Sequence, residues 1–192
     1  MTLATEPRPK RWTKAEYYSL LEAFGEDRLR YELIDGEIIE MPPQKDEHSF
    51  ALSLVDYALR AVFKKGFVIK VQSPLDLSSA SEPEPDLMVV RGQLRSMRKH
   101  PKKAVLVVEI AGDSLRYDRE TKGSLYASRG ISEYWIVNLR EKVLEVHRRP
   151  TKSAGARFEY VYGETEILAA GDVVIPLAAN RARVKVSELL PS

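Results

Sequence analysis

The 192-residue chain contains no cysteine. Disulfide bridges, thiolate zinc sites, iron–sulfur clusters and a cysteine nucleophile are therefore excluded. Histidine is also scarce. His48, His100 and His147 are the only three and lie far apart in sequence, which argues against a His-rich metal centre or a Ser–His–Asp arrangement. No stretch approaches the roughly 18–20 apolar residues that cross a bilayer. The segment Met1 to Arg11 is rich in proline and basic residues and has no apolar core, unlike a secretory signal. A cytoplasmic protein without membrane association is the resulting expectation. An excess of one charge is lacking too: 30 Lys and Arg oppose 28 Asp and Glu, for a net charge of +2. Any affinity for a polyanion must therefore come from a local patch and not from a global field.

What is present is a globular composition, with 44% apolar and 30% charged residues, at a length that suits one domain. Residues 1–11 read as a flexible arm ended by Pro7 and Pro9, and residues 12–192 as a single domain, with no repeat or long linker to divide it. Thr13 and Glu16 have capping-box spacing, which starts a short helix that runs to Phe24 with Gly25 as its stop. Tyr31–Ile34 and Glu37–Glu40 flank Asp35-Gly36, a two-residue hairpin signal. From Glu47 to Lys65, His48, Leu52, Val55, Leu59 and Val62 recur at helical steps, and Gly66 ends that run. Strands are expected at 67–72, 87–91, 105–110, 133–138 and 143–148, with a helix from Asp118 to Ser128. Short strand-like pieces at 158–162, 167–168 and 173–175 are separated by Gly163 and Gly171. This order predicts an α/β fold whose central mixed sheet is flanked by helices, with an N-terminal helix and hairpin.

Two carboxylates stand out. Lys103-Ala-Val-Leu-Val-Val-Glu-Ile-Ala111 is apolar on both alternating faces, the mark of a strand covered on both sides. Glu109 shares a face with Val105 and Val107. Either the strand emerges into solvent there, or Glu109 is buried and must be paired, protonated or metal-bound. Upstream, Pro85 fixes the backbone just before Asp86 at the mouth of a strand. Two such acids on adjacent strands form an oxygen-only clamp of the kind Mg²⁺ prefers. Downstream, Asp118 has the character of an N-cap. Lys122 lies four residues on, either reaching the same site or pairing with Asp118 in solvent. Between the two acids, Arg91, Arg95, Arg98, Lys99, Lys102 and Lys103 occur with no acid among them. They read as a phosphate-contacting patch close to the acids or as an ordinary basic surface loop.

These residues resemble the PD-(D/E)xK nuclease superfamily, and more closely its Uma family of restriction-endonuclease-like proteins. The resemblance runs from Tyr31-Glu-Leu-Ile-Asp-Gly-Glu37 through His48, Pro85-Asp86, Val108-Glu109-Ile110 and Asp118-xxx-Lys122-xxx-Tyr126 to Gly130-Ile-Ser-Glu-Tyr-Trp-Ile-Val137. In the superfamily a lysine usually stands two residues after the second acid. Ala111 occupies that place here, and the resemblance implies a lysine relocated to the next helix, Lys122. Asn138 stands where many relatives have Asp. The resemblance implies Asp86, Glu109 and Lys122 as catalytic residues, and Mg²⁺, replaceable by Mn²⁺, held by Asp86, Glu109 and the Ile110 carbonyl. Glu32, as the first-strand acid, acts through water or is an exposed hairpin residue. His48 lines the site or is a half-buried helix residue. The implied activity is cleavage of DNA, most naturally double-stranded and by a homodimer. The alternatives are a catalytically inactive nuclease-fold protein that binds nucleic acid, and an interaction protein whose acids are surface residues.

Overall fold

The computed structural model describes residues 7–24 and 30–191. The expected stop at Gly25 and the first six residues of the expected arm lie outside the described residues. The chain forms two compact units, residues 1–43 with 76–83, and residues 44–75 with 84–192.

In the first unit, α1 (Lys14–Phe24) opens with the expected capping box. The Glu16 carboxylate accepts from both the backbone N–H and the hydroxyl of Thr13, at 2.8 and 2.9 Å. Strands β1 (Arg30–Ile34) and β2 (Glu37–Met41) pair antiparallel. Asp35 and Gly36 both take positive φ, 53° and 72°, as a two-residue turn that follows strand twist requires. Glu32 is buried on β1.

The second unit is built on a six-stranded sheet. Helix α2 (Asp46–Val62) stops three residues before the expected Lys65, because Phe63 leaves the helical region to pack into the core. Strands β3 (Phe67–Val71), β4 (Leu87–Arg91) and β5 (Leu106–Ala111) follow. A helical crossover then leads to β6 (Glu133–Asn138), β7 (Val143–Lys152) and β8 (Tyr160–Leu168). The spatial order is β3-β4-β5-β6-β7-β8. Only β5 and β6 run parallel, with the other neighbours antiparallel. Two short strands, β9 (Val173–Val174) and β10 (Val184–Lys185), pair with each other.

The sheet is mixed and flanked by helices, as its sequence predicts. On one face Ala51, Val55 and Leu59 of α2 pack against Val89, Leu106, Val108, Ile110 and Trp135. Side chains alternate along a strand, so Val107, Glu109, Tyr134 and Glu145 face the crossover helix on the other side. Gly163 does not break the last strand, contrary to expectation. It lies inside β8, where a Cβ would sit 2.8 Å from the Thr151 hydroxyl oxygen, so its role is close approach to β7. Among the described residues no helix is long and apolar enough to cross a membrane.

Candidate active site

All six residues of β5 are buried, which excludes the reading in which Glu109 emerges into solvent. Asp86 directly precedes β4, and the β4–β5 register, Leu87 opposite Val108, carries Asp86 and Glu109 together just beyond the last ladder pair. Each acid is tied to the backbone of the other's strand. The Ile110 N–H donates to Asp86 Oδ2 at 2.9 Å, and the Asp86 N–H donates to Glu109 Oε2 at 3.2 Å. Within a strand the carbonyl of a residue points to the same edge as its N–H, so the Ile110 carbonyl faces the Asp86 side.

From α2, His48 reaches Asp86 Oδ2 through Nε2 at 3.1 Å, while its Nδ1 is buried without a hydrogen-bond partner among the described residues. At the end of β3 the Gln72 amide donates to Asp86 Oδ1 at 3.4 Å, and the Gln72 backbone N–H donates to the Asp86 carbonyl at 3.0 Å. Burial is the largest influence on Asp86 and opposes ionisation. The hydrogen bond and charge of His48, the Ile110 N–H and the charge of Lys122 outweigh it and hold the carboxyl below its ordinary range.

The crossover helix supplies the cation. It comprises α3 (Leu115–Tyr117), a π-helical turn over Asp118–Lys122 and α4 (Gly123–Ser128). The Gly123 N–H bonds back to the Asp118 carbonyl, five residues earlier. Such a turn re-aims the side chains it carries and recurs at functional sites. Lys122 is 1% exposed, and its ammonium donates to Glu109 Oε1 at 3.1 Å. One turn on, the Tyr126 hydroxyl donates to the same oxygen at 2.7 Å. The second reading of Lys122, a solvated partner of Asp118, is thereby excluded. A buried ammonium and two buried carboxylates have been brought together from three elements far apart in the chain.

Two expectations are corrected. Asp118 is not an N-cap, because the helix already begins at Leu115 and the Asp118 N–H is consumed by the Ser114 carbonyl at 3.0 Å. Its carboxylate instead accepts from the Ser114 hydroxyl at 2.6 Å. The second concerns Arg91, Arg95, Arg98, Lys99, Lys102 and Lys103. All six are exposed, but Arg91 ends β4 and the other five occupy the β4–β5 connection, and antiparallel pairing puts that connection at the opposite end of the strands from Asp86 and Glu109. The length of β4 separates them, about 16 Å at the usual rise. Arg91 lies over the Phe67 ring, 5.1 Å from its centroid.

Sequence reasoning assigned no role to Tyr126 or Gln72. Tyr126 was legible, since its i+4 spacing from Lys122 places both on one helix face. Gln72 carried no signal; its placement depends on a left-handed backbone, φ 44°, at which a non-glycine residue is uncommon.

The turn that carries Lys122 is anchored to the sheet by charge. Arg119 donates to both oxygens of Glu145 on β7, at 2.9 and 2.6 Å, and the Asn138 amide donates to one of them at 2.9 Å. Burial, the largest influence, opposes ionisation of Glu145, but the nearby His147 ring, Arg119 and Asn138 lower its pKa from 4.5 to about 2. A group depressed on folding contributes stability that is fully present above its unfolded pKa and is lost as pH falls through its folded one. Thermal melts should therefore show a Glu145-dependent loss between pH 4.5 and about 2, of at most about 3 kcal/mol. Glu145→Gln should lower Tm at pH 6 and narrow its difference from wild type at pH 2.5. A difference that is constant with pH would show that ionised Glu145 is not what anchors the turn.

Among the described residues no three His, Asp or Glu side chains are grouped to hold a metal ion. Two carboxylates and a carbonyl, all hard oxygen donors, nevertheless fit Mg²⁺, which typically takes one or two carboxylates and keeps several waters.

A family model described as "Uma2: Putative restriction endonuclease" matches residues 15–182. Among solved structures, the chain is similar to a crystal structure described as a putative nuclease belonging to DUF820 from Anabaena variabilis. The TM-score is 0.68 at 18% identity, covering 92% of this chain and 96% of that one. That likeness concerns the fold. No curated protein sequence matches.

Proposed function

The chain belongs to the Uma2 family, and from that premise we propose that it is a Mg²⁺-dependent endonuclease that hydrolyses phosphodiester bonds of double-stranded DNA. The observation that carries this reading is the burial of Lys122 against Glu109, with Asp86 bonded to the same strand end. Burying three charges is costly and is no efficient route to stability, so a cluster of this kind favours a chemical role.

Asp86 and Glu109 would hold the cation through their carboxylate oxygens, with the Ile110 carbonyl as a further donor and Mn²⁺ as a substitute ion. When bound, the ion neutralises phosphate charge and lowers the pKa of water. Lys122 orients the attacking water and adds positive charge beside the reacting phosphate. His48, Gln72 and the Ile110 N–H fix the Asp86 carboxylate, while Tyr126 and the Asp86 N–H fix that of Glu109. Asp118, held by Ser114, steadies the start of the π-turn. The exposed basic segment from Arg91 to Lys103 contacts phosphates remote from the cleaved bond and contributes salt-dependent affinity. A homodimer with paired sites would cut both strands.

The test is cleavage of supercoiled plasmid and duplex oligonucleotides with Mg²⁺, Mn²⁺ or EDTA, paired with Mg²⁺ titration by calorimetry. Cleavage with either metal, none in EDTA, and loss of both cleavage and Mg²⁺ binding in Asp86→Ala are expected. Wild-type protein that binds DNA without cutting it under any metal would replace this reading with that of an inactive nuclease fold.

A further inference from the structure

Helix α2 has a second face that the sheet does not use. Ala51, Val55, Ala58 and Leu59 form its buried side. On the other side Glu47, Phe50, Leu54, Tyr57 and Ala61 follow one another at alternating steps of three and four, the spacing of a coiled-coil seam. Phe50 is 54% exposed and Tyr57 80%, while Ala61 is exposed and Leu54 half-buried. A helix that covers one face of a core normally turns polar and charged residues outward. Phe50, Leu54, Tyr57 and Ala61, aligned along the outward side, instead mark a surface that another element covers.

The charges at the two ends of α2 say which element fits. Its first turn holds Asp46 and Glu47 and its last turn Arg60, with Lys64 and Lys65 just beyond. A second α2 laid antiparallel sets the acidic end of each helix against the basic end of the other and opposes their macrodipoles. A parallel copy would set like charges side by side. Arg60 commits its Nε to Asp56, at 2.8 Å, and a guanidinium has further N–H donors for a carboxylate on a facing helix. A nucleic acid is a poor occupant, because its phosphates would meet Asp46 and Glu47 at one end and apolar side chains along the rest.

We propose that this face of α2 binds the same face of a second copy of the chain, antiparallel and two-fold symmetric, with Phe50, Leu54 and Tyr57 of both copies at its centre. A two-fold contact must be self-complementary, and an apolar stripe between oppositely charged ends has that property. One helix pair buries less than the roughly 1,200 Å² of a standard interface. The dimer should therefore be weak, with a Kd of about 1–100 μM. His48 stands near the start of α2, so the dimer carries two copies of the proposed active site toward opposite ends of the helix pair. That consequence rests on the nuclease reading, whereas the contact itself does not.

The experiment is sedimentation equilibrium of the full chain in EDTA, without DNA, from about 1 to 300 μM. Wild type should pass from monomer to dimer across that range. Tyr57→Glu should weaken the dimer at least about tenfold with an unchanged circular dichroism spectrum. Because the chain has no cysteine, single cysteines report the orientation. Under mild oxidation Leu54→Cys, close to the two-fold axis, should give a disulfide-linked dimer. Glu47→Cys, carried to opposite ends of the pair, should not. The proposal is overturned by wild type that stays monomeric, by a dimer that Tyr57→Glu leaves intact, by Leu54→Cys that fails to cross-link, or by Glu47→Cys that cross-links as readily. An unfolded Tyr57→Glu leaves the two cysteine variants to decide. A wild-type dimer that cuts no DNA would defeat the nuclease reading and leave this one standing.

Discussion

Glu109→Gln should lower the rate of DNA cleavage by roughly a thousandfold while leaving a folded protein. The rate effect follows from charge. Glu109 is one of two carboxylates able to hold the cation, and loss of a Lewis acid worth several kcal/mol corresponds to about that factor at 1.36 kcal/mol per decade. The fold should survive because the glutamine carbonyl can still accept from Lys122 and Tyr126, as Glu109 Oε1 does at 3.1 and 2.7 Å. What is given up is the bond from the Asp86 N–H to Oε2, since an amide nitrogen cannot accept it. The buried Lys122 ammonium also loses its paired charge, so a loss of about 3–5 kcal/mol should result, visible as a Tm lower by roughly 6–20 °C. The assay is a plasmid-nicking time course in Mg²⁺ alongside thermal melts. Cleavage within a few-fold of wild type would remove Glu109 from the reaction.

Much of the fold was written in local patterns, because local physics set them. The capping box at Thr13–Glu16, the Asp35-Gly36 turn and the α2 stripe each need only neighbours within a few residues. Glu109 was visible as an anomaly because β5 is apolar on both faces and a lone acid interrupts it. What the sequence hid depends on events between segments. The π-turn at Asp118–Lys122 is a one-residue change of helical register that no periodicity announces. It is held by Glu145, which pairs with Arg119 of the turn, and by Tyr134, and both lie more than ten residues downstream. The distance of the Arg91–Lys103 segment from the acids was misjudged because chain proximity was read as spatial proximity. In an antiparallel hairpin the connecting segment is the part farthest from the open end. Gly163 was read as a break, but a close approach between strands also demands glycine, and sequence does not distinguish the two causes.

Lys122→Met gives the other large effect, and it separates the structural and chemical roles of one ammonium. Methionine fills nearly the same volume without charge, so packing is largely kept. The loss is electrostatic: Glu109, 3% exposed, would remain buried beside Asp86 without its cation. Breaking a buried pair by removing one partner costs about 3–5 kcal/mol, which for a chain of this length lowers Tm by roughly 6–20 °C. Two further results follow from the same argument. In Lys122→Met/Glu109→Gln both charges are gone, so the double variant should be more stable than Lys122→Met alone, a strong non-additivity. Added Mg²⁺ should raise the Tm of Lys122→Met by more than it raises that of wild type, because the divalent ion restores the missing positive charge and gains from the ammonium's absence. Cleavage should nonetheless stay lost, since the ion does not replace the group that orients water. Melts of the four proteins with and without Mg²⁺, read against cleavage of the same samples, decide it. An unchanged Tm in Lys122→Met would contradict the buried pair itself, whereas restored stability together with restored cleavage would leave Lys122 a purely structural residue.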